Sequence, residues 1–128
     1  MTKDQIEVLV IDDEEPITSM LVSVLQTSGV SAYGLNSSPE AFEYIKNNPN
    51  LLLVITDVIM PDMCGEELCR KVRNELKQEV PFWFVTGHGQ LDEERLKVVG
   101  VERVYYKPLK MDELTEKITD YVKYLRSQ

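Results

Sequence analysis

The chain has 128 residues and a mass of 14.7 kDa, room for one compact domain rather than two. Hydrophobic residues make up 43% and charged residues 28%, a globular balance that excludes a disordered or fibrous chain. The formal charge of -8 repels phosphate backbones and anionic lipid, which sets aside nucleic-acid binding by this chain alone.

The charge is unevenly spread. Residues 1–64 carry ten acids and two bases, whereas residues 65–128 carry twelve of each, so a local carboxylate site is expected in the first half. Cys64 and Cys69 make no disulfide framework, and with His88 as the only histidine they make no four-ligand zinc set. Reduced thiols point to a cytoplasmic protein. Met1 to Gln5 lead straight toward a strand and form no signal peptide; the longest apolar run, Leu51 to Ile55, is far too short to span a membrane.

In chain order, Ile6 to Ile11 is an apolar, β-branched run stopped by Asp12 and Asp13, which predicts a first strand. Ile17, Met20, Leu21, Val24 and Leu25 share one helical stripe, with Pro16 near its start and Gly29 just beyond its end. Ser31 to Leu35 is a weaker strand. Ser38 and Pro39 are expected to cap and open a second helix with Phe42 and Ile45 facing inward, ended by Asn47, Asn48 and Pro49. Leu51 to Thr56 forms a third strand stopped by Asp57. Leu68, Val72 and Leu76 mark a third helix that starts at two solvated acids, Glu66 and Glu67.

Val80 to Thr86 forms a fourth strand stopped by Gly87, with Trp83 packing in the core or under a helix. Leu96 and Val99 mark a short fourth helix that follows Glu93 and Glu94 and ends at Gly100. Glu102 to Tyr106 is a fifth strand, and Leu114, Ile118, Tyr121 or Val122, and Leu125 line a last amphipathic helix. Five strands alternating with five helices predict a doubly wound α/β unit, a parallel five-stranded sheet with helices on both faces. The domain is expected to span residues 1–128, with its core over residues 6–125 and no output domain.

In such sheets the chemistry sits beyond the carboxyl ends of the strands. The first strand runs into Asp12 and Asp13, the third into Asp57, the fourth ends at Thr86, and the fifth runs into Lys107 and Pro108. Three carboxylates on one rim disfavour joint ionisation unless a cation offsets them, and an all-oxygen set suits Mg²⁺. With the Lys107 ammonium and the Thr86 hydroxyl, such a rim can hold the oxygens of a phosphoryl group in transit. No glycine-rich nucleotide loop is present, so phosphate would arrive on another molecule and leave onto a carboxylate of this one.

The stretches Val8 to Glu14, Thr56 to Pro61 with Gly65 following, Thr86-Gly87 and Tyr106 to Pro108 occur in an order and spacing that resembles a response-regulator receiver domain over nearly the whole chain. The resemblance implies that Asp57 takes a phosphoryl group from a histidine kinase or a histidine phosphotransfer protein. It implies Mg²⁺, or Mn²⁺ in its stead, bound directly by Asp13, Asp57 and the carbonyl of Ile59, with Asp12 assisting through water. It further implies switching by Thr86 and Gly87, pairing of Lys107 with the phosphoryl group, and a cis peptide between Lys107 and Pro108. The resemblance also implies the flavodoxin-like (βα)5 strand order 2-1-3-4-5, and such a domain catalyses only its own phosphorylation and dephosphorylation.

Phosphorylation would shift the surface of the fourth helix, fifth strand and fifth helix, which is also the expected face for a homodimer. Ile59 and His88 occupy the positions that tune dephosphorylation, Ile59 by hindering water and His88 by positioning it. One departure stands out. The aromatic residue usual three places before the lysine is Val104 here, and strand alternation sends the neighbouring Tyr105 to the other face. Two readings of other classes share the fold: a phosphorylation-independent interaction or dimerisation module, favoured by Val104, and a small flavin-binding electron carrier, disfavoured by the acidic first loop.

Overall fold

A computed structural model describes residues 5–87 and 89–128. Strands β1 (Val8–Ile11), β2 (Ala32–Leu35), β3 (Leu53–Asp57), β4 (Phe82–Thr86) and β5 (Val101–Tyr106) alternate with helices α1 (Glu15–Thr27), α2 (Ser38–Asn47), α3 (Gly65–Glu75), α4 (Glu93–Val99) and α5 (Met111–Arg126). The strands form one parallel sheet in the order β2-β1-β3-β4-β5. The architecture expected from the alternating apolar runs is the one observed.

Period-two alternation divides the strands between two cores. Leu9, Ile11, Val54, Phe82 and Phe84 pack with Ala41 and Ile45 of α2, Leu68 and Val72 of α3, and Leu96 of α4. Val8, Val10, Leu53, Ile55, Trp83 and Val85 pack on the opposite face with Leu21 and Leu25 of α1 and Leu114, Ile118 and Val122 of α5. Strands β1, β3 and β4 are buried throughout, which explains why they read as unbroken apolar runs. Trp83 is fully buried beneath α5, stacked on Tyr121 at a centroid distance of 5.2 Å.

Three local expectations need correction. The N-cap of α2 is Ser37, whose hydroxyl accepts from the Glu40 amide at 3.5 Å; Ser38 is already helical and buried. Asp57 does not stop β3 but is its last residue, and the strand starts at Leu53 rather than Leu51. Glu66 is less solvated than expected, because its carboxylate accepts from Arg70 on its own helix and from both terminal nitrogens of Arg95 on α4 at 3.0 Å. At the far end of α4, Gly100 takes the left-handed conformation, φ 106°, that closes a helix with no Cβ to strain.

The side of the sheet away from the strand carboxyl ends is closed by an ion pair that sequence periodicity does not disclose. Buried Glu7 accepts from Arg126, at the end of α5, at 2.6 and 2.7 Å, and also from the Ser31 amide at 3.1 Å. These bonds hold its carboxyl below the ordinary glutamate range: the Arg126 hydrogen bonds outweigh the opposing effect of burial. A depressed folded-state value gives stability that is present above the ordinary glutamate value and lost as pH falls through the folded one. Glu7→Gln is expected to cost about 1–2 kcal/mol at neutral pH, screened by the exposure of the arginine, and to flatten the acid limb of the stability curve. Urea unfolding at several pH values measures both; an unchanged acid limb contradicts the assignment.

Candidate functional site

The sheet order changes direction at β1, where α1 carries the chain outward to β2 and the next crossover returns it to β3 on the other side. Crevices at such switch points collect the residues that follow the strands. Asp12 follows β1, Asp57 closes β3, Thr86 closes β4, and Lys107 follows β5.

Asp12, Asp13 and Asp57 each place a carboxylate oxygen within 4.8 Å of the other two. Asp12 and Asp57 are buried, whereas Asp13 faces solvent. Lys107 joins the cluster from β5: its Nζ lies 3.3 Å from Asp12 Oδ2 and 3.2 Å from Asp57 Oδ2. Residues separated by 95 and 50 positions in sequence therefore meet at one ammonium. The Lys107–Pro108 peptide is cis.

The electrostatics follow from this crowding. Burial lifts the Asp12 carboxyl above the ordinary aspartate range, against the pull of the Glu14 amide and of Lys107. Burial works against the Lys107 ammonium as well, but there Asp12 and Asp57 outweigh it and raise the group above the ordinary lysine range. One ammonium, paired with two of three clustered carboxylates, leaves negative charge uncompensated. The donor set is all oxygen and partly open to solvent through Asp13, which fits a divalent cation that keeps part of its water shell.

Several contacts hold the carboxylates in place. Asp12 Oδ1 accepts from the Glu14 amide at 2.9 Å, fixing the turn into α1. Asp57 Oδ1 accepts from the Ile59 amide at 3.3 Å, and Ile59 itself is exposed beside the cluster. Gly65 approaches so closely that a Cβ there would lie 2.7 Å from the Asp57 carbonyl oxygen. That contact explains the glycine eight positions after the aspartate without any need for unusual dihedral angles.

Thr86 is buried and pairs across the sheet with Tyr106, and the Lys107 amide donates to the Thr86 carbonyl at 2.8 Å. Gly87 is exposed beside the lysine stem, with Lys107 Cδ 3.8 Å from the place of a Cβ. Val104 packs against the core under α2, α3 and α4, while Tyr105 packs on the other face against Trp83, as strand alternation requires. His88 lies outside the described residues. Cys69 is buried and its thiol is pushed up to about 11 by burial, so it packs rather than reacts.

Two side chains at the rim make contacts that motif reading does not disclose. Asn36, just past β2, donates to the Asp12 carbonyl at 2.7 Å and to the Thr18 hydroxyl at 3.1 Å, tying the Asp12 backbone to α1. Its only sequence signal is its place directly after a strand, on the same rim as the acids. Tyr106 reaches α4 through its hydroxyl, at 3.2 Å from the Leu91 amide and 3.0 Å from Glu93 Oε2.

Comparison with known proteins agrees with this geometry. Residues 8–119 match the family model for the response regulator receiver domain. The transcriptional regulatory protein FixJ of Rhizobium meliloti is 37% identical over 82 residues, covering 64% of this chain and 39% of that protein. The heme response regulator HssR of Staphylococcus aureus is 28% identical over 114 residues, covering 88% of this chain and 50% of that protein. The chain thus spans half or less of the length of these relatives.

Among solved structures, a receiver domain protein from Clostridium thermocellum superposes with a TM-score of 0.80 at 28% identity, covering 94% of this chain and 97% of that one. A CheY-like receiver domain from Methanospirillum hungatei gives 0.83 at 24% identity, covering 97% and 98%, a likeness of fold. The chain belongs to the response regulator receiver domain family and has the phosphotransfer function of a two-component receiver. That assignment replaces the flavin-carrier reading. Among the described residues, no helix is long and apolar enough to cross a membrane.

The uncompensated charge yields a test. In the absence of divalent cations, Asp12→Asn is expected to raise stability by about 1 kcal/mol, the scale of a single-site effect, because it removes one buried carboxylate from the cluster. The same substitution is expected to reduce the stabilisation that a divalent cation confers on the wild type. Thermal unfolding with and without the cation reads both, and a destabilised variant with an undiminished cation effect contradicts the account.

Proposed function

We propose that Asp57 is the phosphoacceptor of this receiver and that its donor is a phosphohistidine, on a histidine kinase or a histidine phosphotransfer protein. The observation that carries the reading is the placement of Lys107 Nζ between buried Asp12 and Asp57. An Asp57 oxygen attacks phosphorus, the P–N bond to the donor imidazole breaks, and the imidazole leaves with the bonding electron pair and takes up a proton. Lys107, already within 3.2 Å of Asp57, follows the charge onto the phosphoryl oxygens, and Thr86 offers its hydroxyl from the end of β4.

Asp12, Asp13, Asp57 and the Ile59 carbonyl would hold Mg²⁺, or Mn²⁺ in its stead. The ion supplies charge neutralisation to the oxygens of the transferring group. Water returns the carboxylate by hydrolysis, with exposed Ile59 obstructing its approach. The aspartyl phosphate carries more charge and more acceptor oxygens than the carboxylate, which biases the α4–β5–α5 surface between two arrangements. That surface is the proposed face for a homodimer, and the reading places the chain in the cytoplasm.

Incubation with a small acyl phosphate and Mg²⁺, followed by intact-mass measurement, tests the reading. The wild type is expected to gain one phosphoryl group that is labile to hydroxylamine, Asp57→Asn to gain none, and chelation of the cation to abolish the gain. Equal labelling of Asp57→Asn contradicts it. A partner interaction that is identical in phosphorylated and unphosphorylated protein would instead favour the phosphorylation-independent module.

A further inference from the structure

The end of β5 is connected both to the phosphoryl site and to α4. Tyr106 pairs with Thr86 across the sheet and immediately precedes Lys107, whose amide is bonded to the Thr86 carbonyl at 2.8 Å. Any displacement of Thr86 or Lys107 therefore reaches the Tyr106 backbone without an intermediary. Tyr106 shares a strand face with Val104, the face covered by α4. Its hydroxyl accepts from the Leu91 amide at 3.2 Å and donates to Glu93 Oε2 at 3.0 Å. Leu91 lies just before α4, and Glu93 is the first residue of that helix.

Little of α4 itself is buried. The helix has seven residues, Leu96 is the only one of them that is buried, and Val98 is 90% exposed. Its other polar ties run to α3: the pair of Arg95–Glu66 bonds to the first turn of that helix, and, at the far end of α4, the Val99 carbonyl accepting from Arg73 Nε at 3.0 Å and from the Cys69 thiol at 3.6 Å. Directional bonds at both ends, more than buried area, thus position α4, and at its start they come from Tyr106. Such bonds weaken steeply with small changes in distance and angle, whereas apolar contacts slide.

We propose that Tyr106 is the positioning residue that couples the phosphoryl site to α4 in this chain, a role open to it because residue 104 is Val. The proposal rests on the reading of Asp57, Thr86 and Lys107 given above. In the unphosphorylated protein the Tyr106 hydroxyl anchors the start of α4. When Thr86 and Lys107 close on the phosphoryl group, the end of β5 moves with them, the two hydroxyl bonds lose their geometry, and the start of α4 is released. Val104, with no polar atom on its side chain, only packs.

Hydrogen exchange of the full chain tests this, followed at the amides of residues 91–96 with and without Mg²⁺ and beryllofluoride. In the wild type without the phosphoryl mimic these amides are expected to be protected, and Tyr106→Phe to exchange about five-fold faster, the scale of losing the bond to the Leu91 amide, with its unfolding midpoint nearly unchanged. The mimic is expected to speed exchange in the wild type and to add little in Tyr106→Phe, while Val104→Ala responds like the wild type. Equal protection of this segment in wild type and Tyr106→Phe overturns the proposal, as does a Val104→Ala variant that alone loses the response. Fluorine NMR of bound beryllofluoride separates the two levels: failure of the wild type to bind it contradicts the phosphoryl-site reading, while the comparison without the mimic still decides whether Tyr106 anchors α4.

Discussion

One ammonium group, Lys107 Nζ, bridges Asp12 and Asp57 across the mouth of the sheet. The contact joins the ends of three strands, and it exists only because the β2-β1-β3-β4-β5 order sets β1, β3 and β4 side by side with β5 at the edge. The carboxylates are costly to bury and the lysine offsets only part of that cost. The remaining negative charge makes the site receptive to a cation and, with that cation, to an incoming phosphoryl group.

The scaffold opposite the site is built to stay still. Strands β1, β3 and β4 are buried on both faces, and the Glu7–Arg126 pair fastens the end of α5 to the start of the sheet. The rim is built differently. There the backbone of Asp12 is tied by Asn36, and the start of α4 by Tyr106 and Glu66, through polar contacts that a change of charge can redirect. A rigid apolar body with a polar, redirectable rim is the physical form of a two-state switch.

Much of this was legible in the sequence because parallel strands covered on both faces leave unbroken apolar runs, and the acids that end two of them mark the rim. Period-two alternation alone separated Val104 from Tyr105, and the structure places them in different cores. The contacts that escaped are long-range and polar. Glu66 looks like any acid in a first helical turn until Arg95 is brought beside it by the packing of α4 on α3. Glu7 looks like a lapse in an apolar strand until Arg126, 119 positions away, arrives with α5. Neither has a local pattern, since each partner is chosen by tertiary structure. The shift of the α2 cap from Ser38 to Ser37 is a smaller case: either serine can cap by residue type, and Ser37 has the extended backbone of a cap while Ser38 is already helical and buried.

The central claim is that these converging groups receive a phosphoryl group at Asp57. A crystal structure of the chain with Mg²⁺ and beryllofluoride tests it most directly. The account predicts beryllium bonded to an Asp57 carboxylate oxygen, the metal held by Asp13, Asp57 and the Ile59 carbonyl with Asp12 reaching it through water, and Lys107 Nζ moved from the carboxylates to a fluorine. Beryllofluoride bound elsewhere, or Asp57 free with Lys107 still bridging the two aspartates in the presence of both reagents, would contradict it.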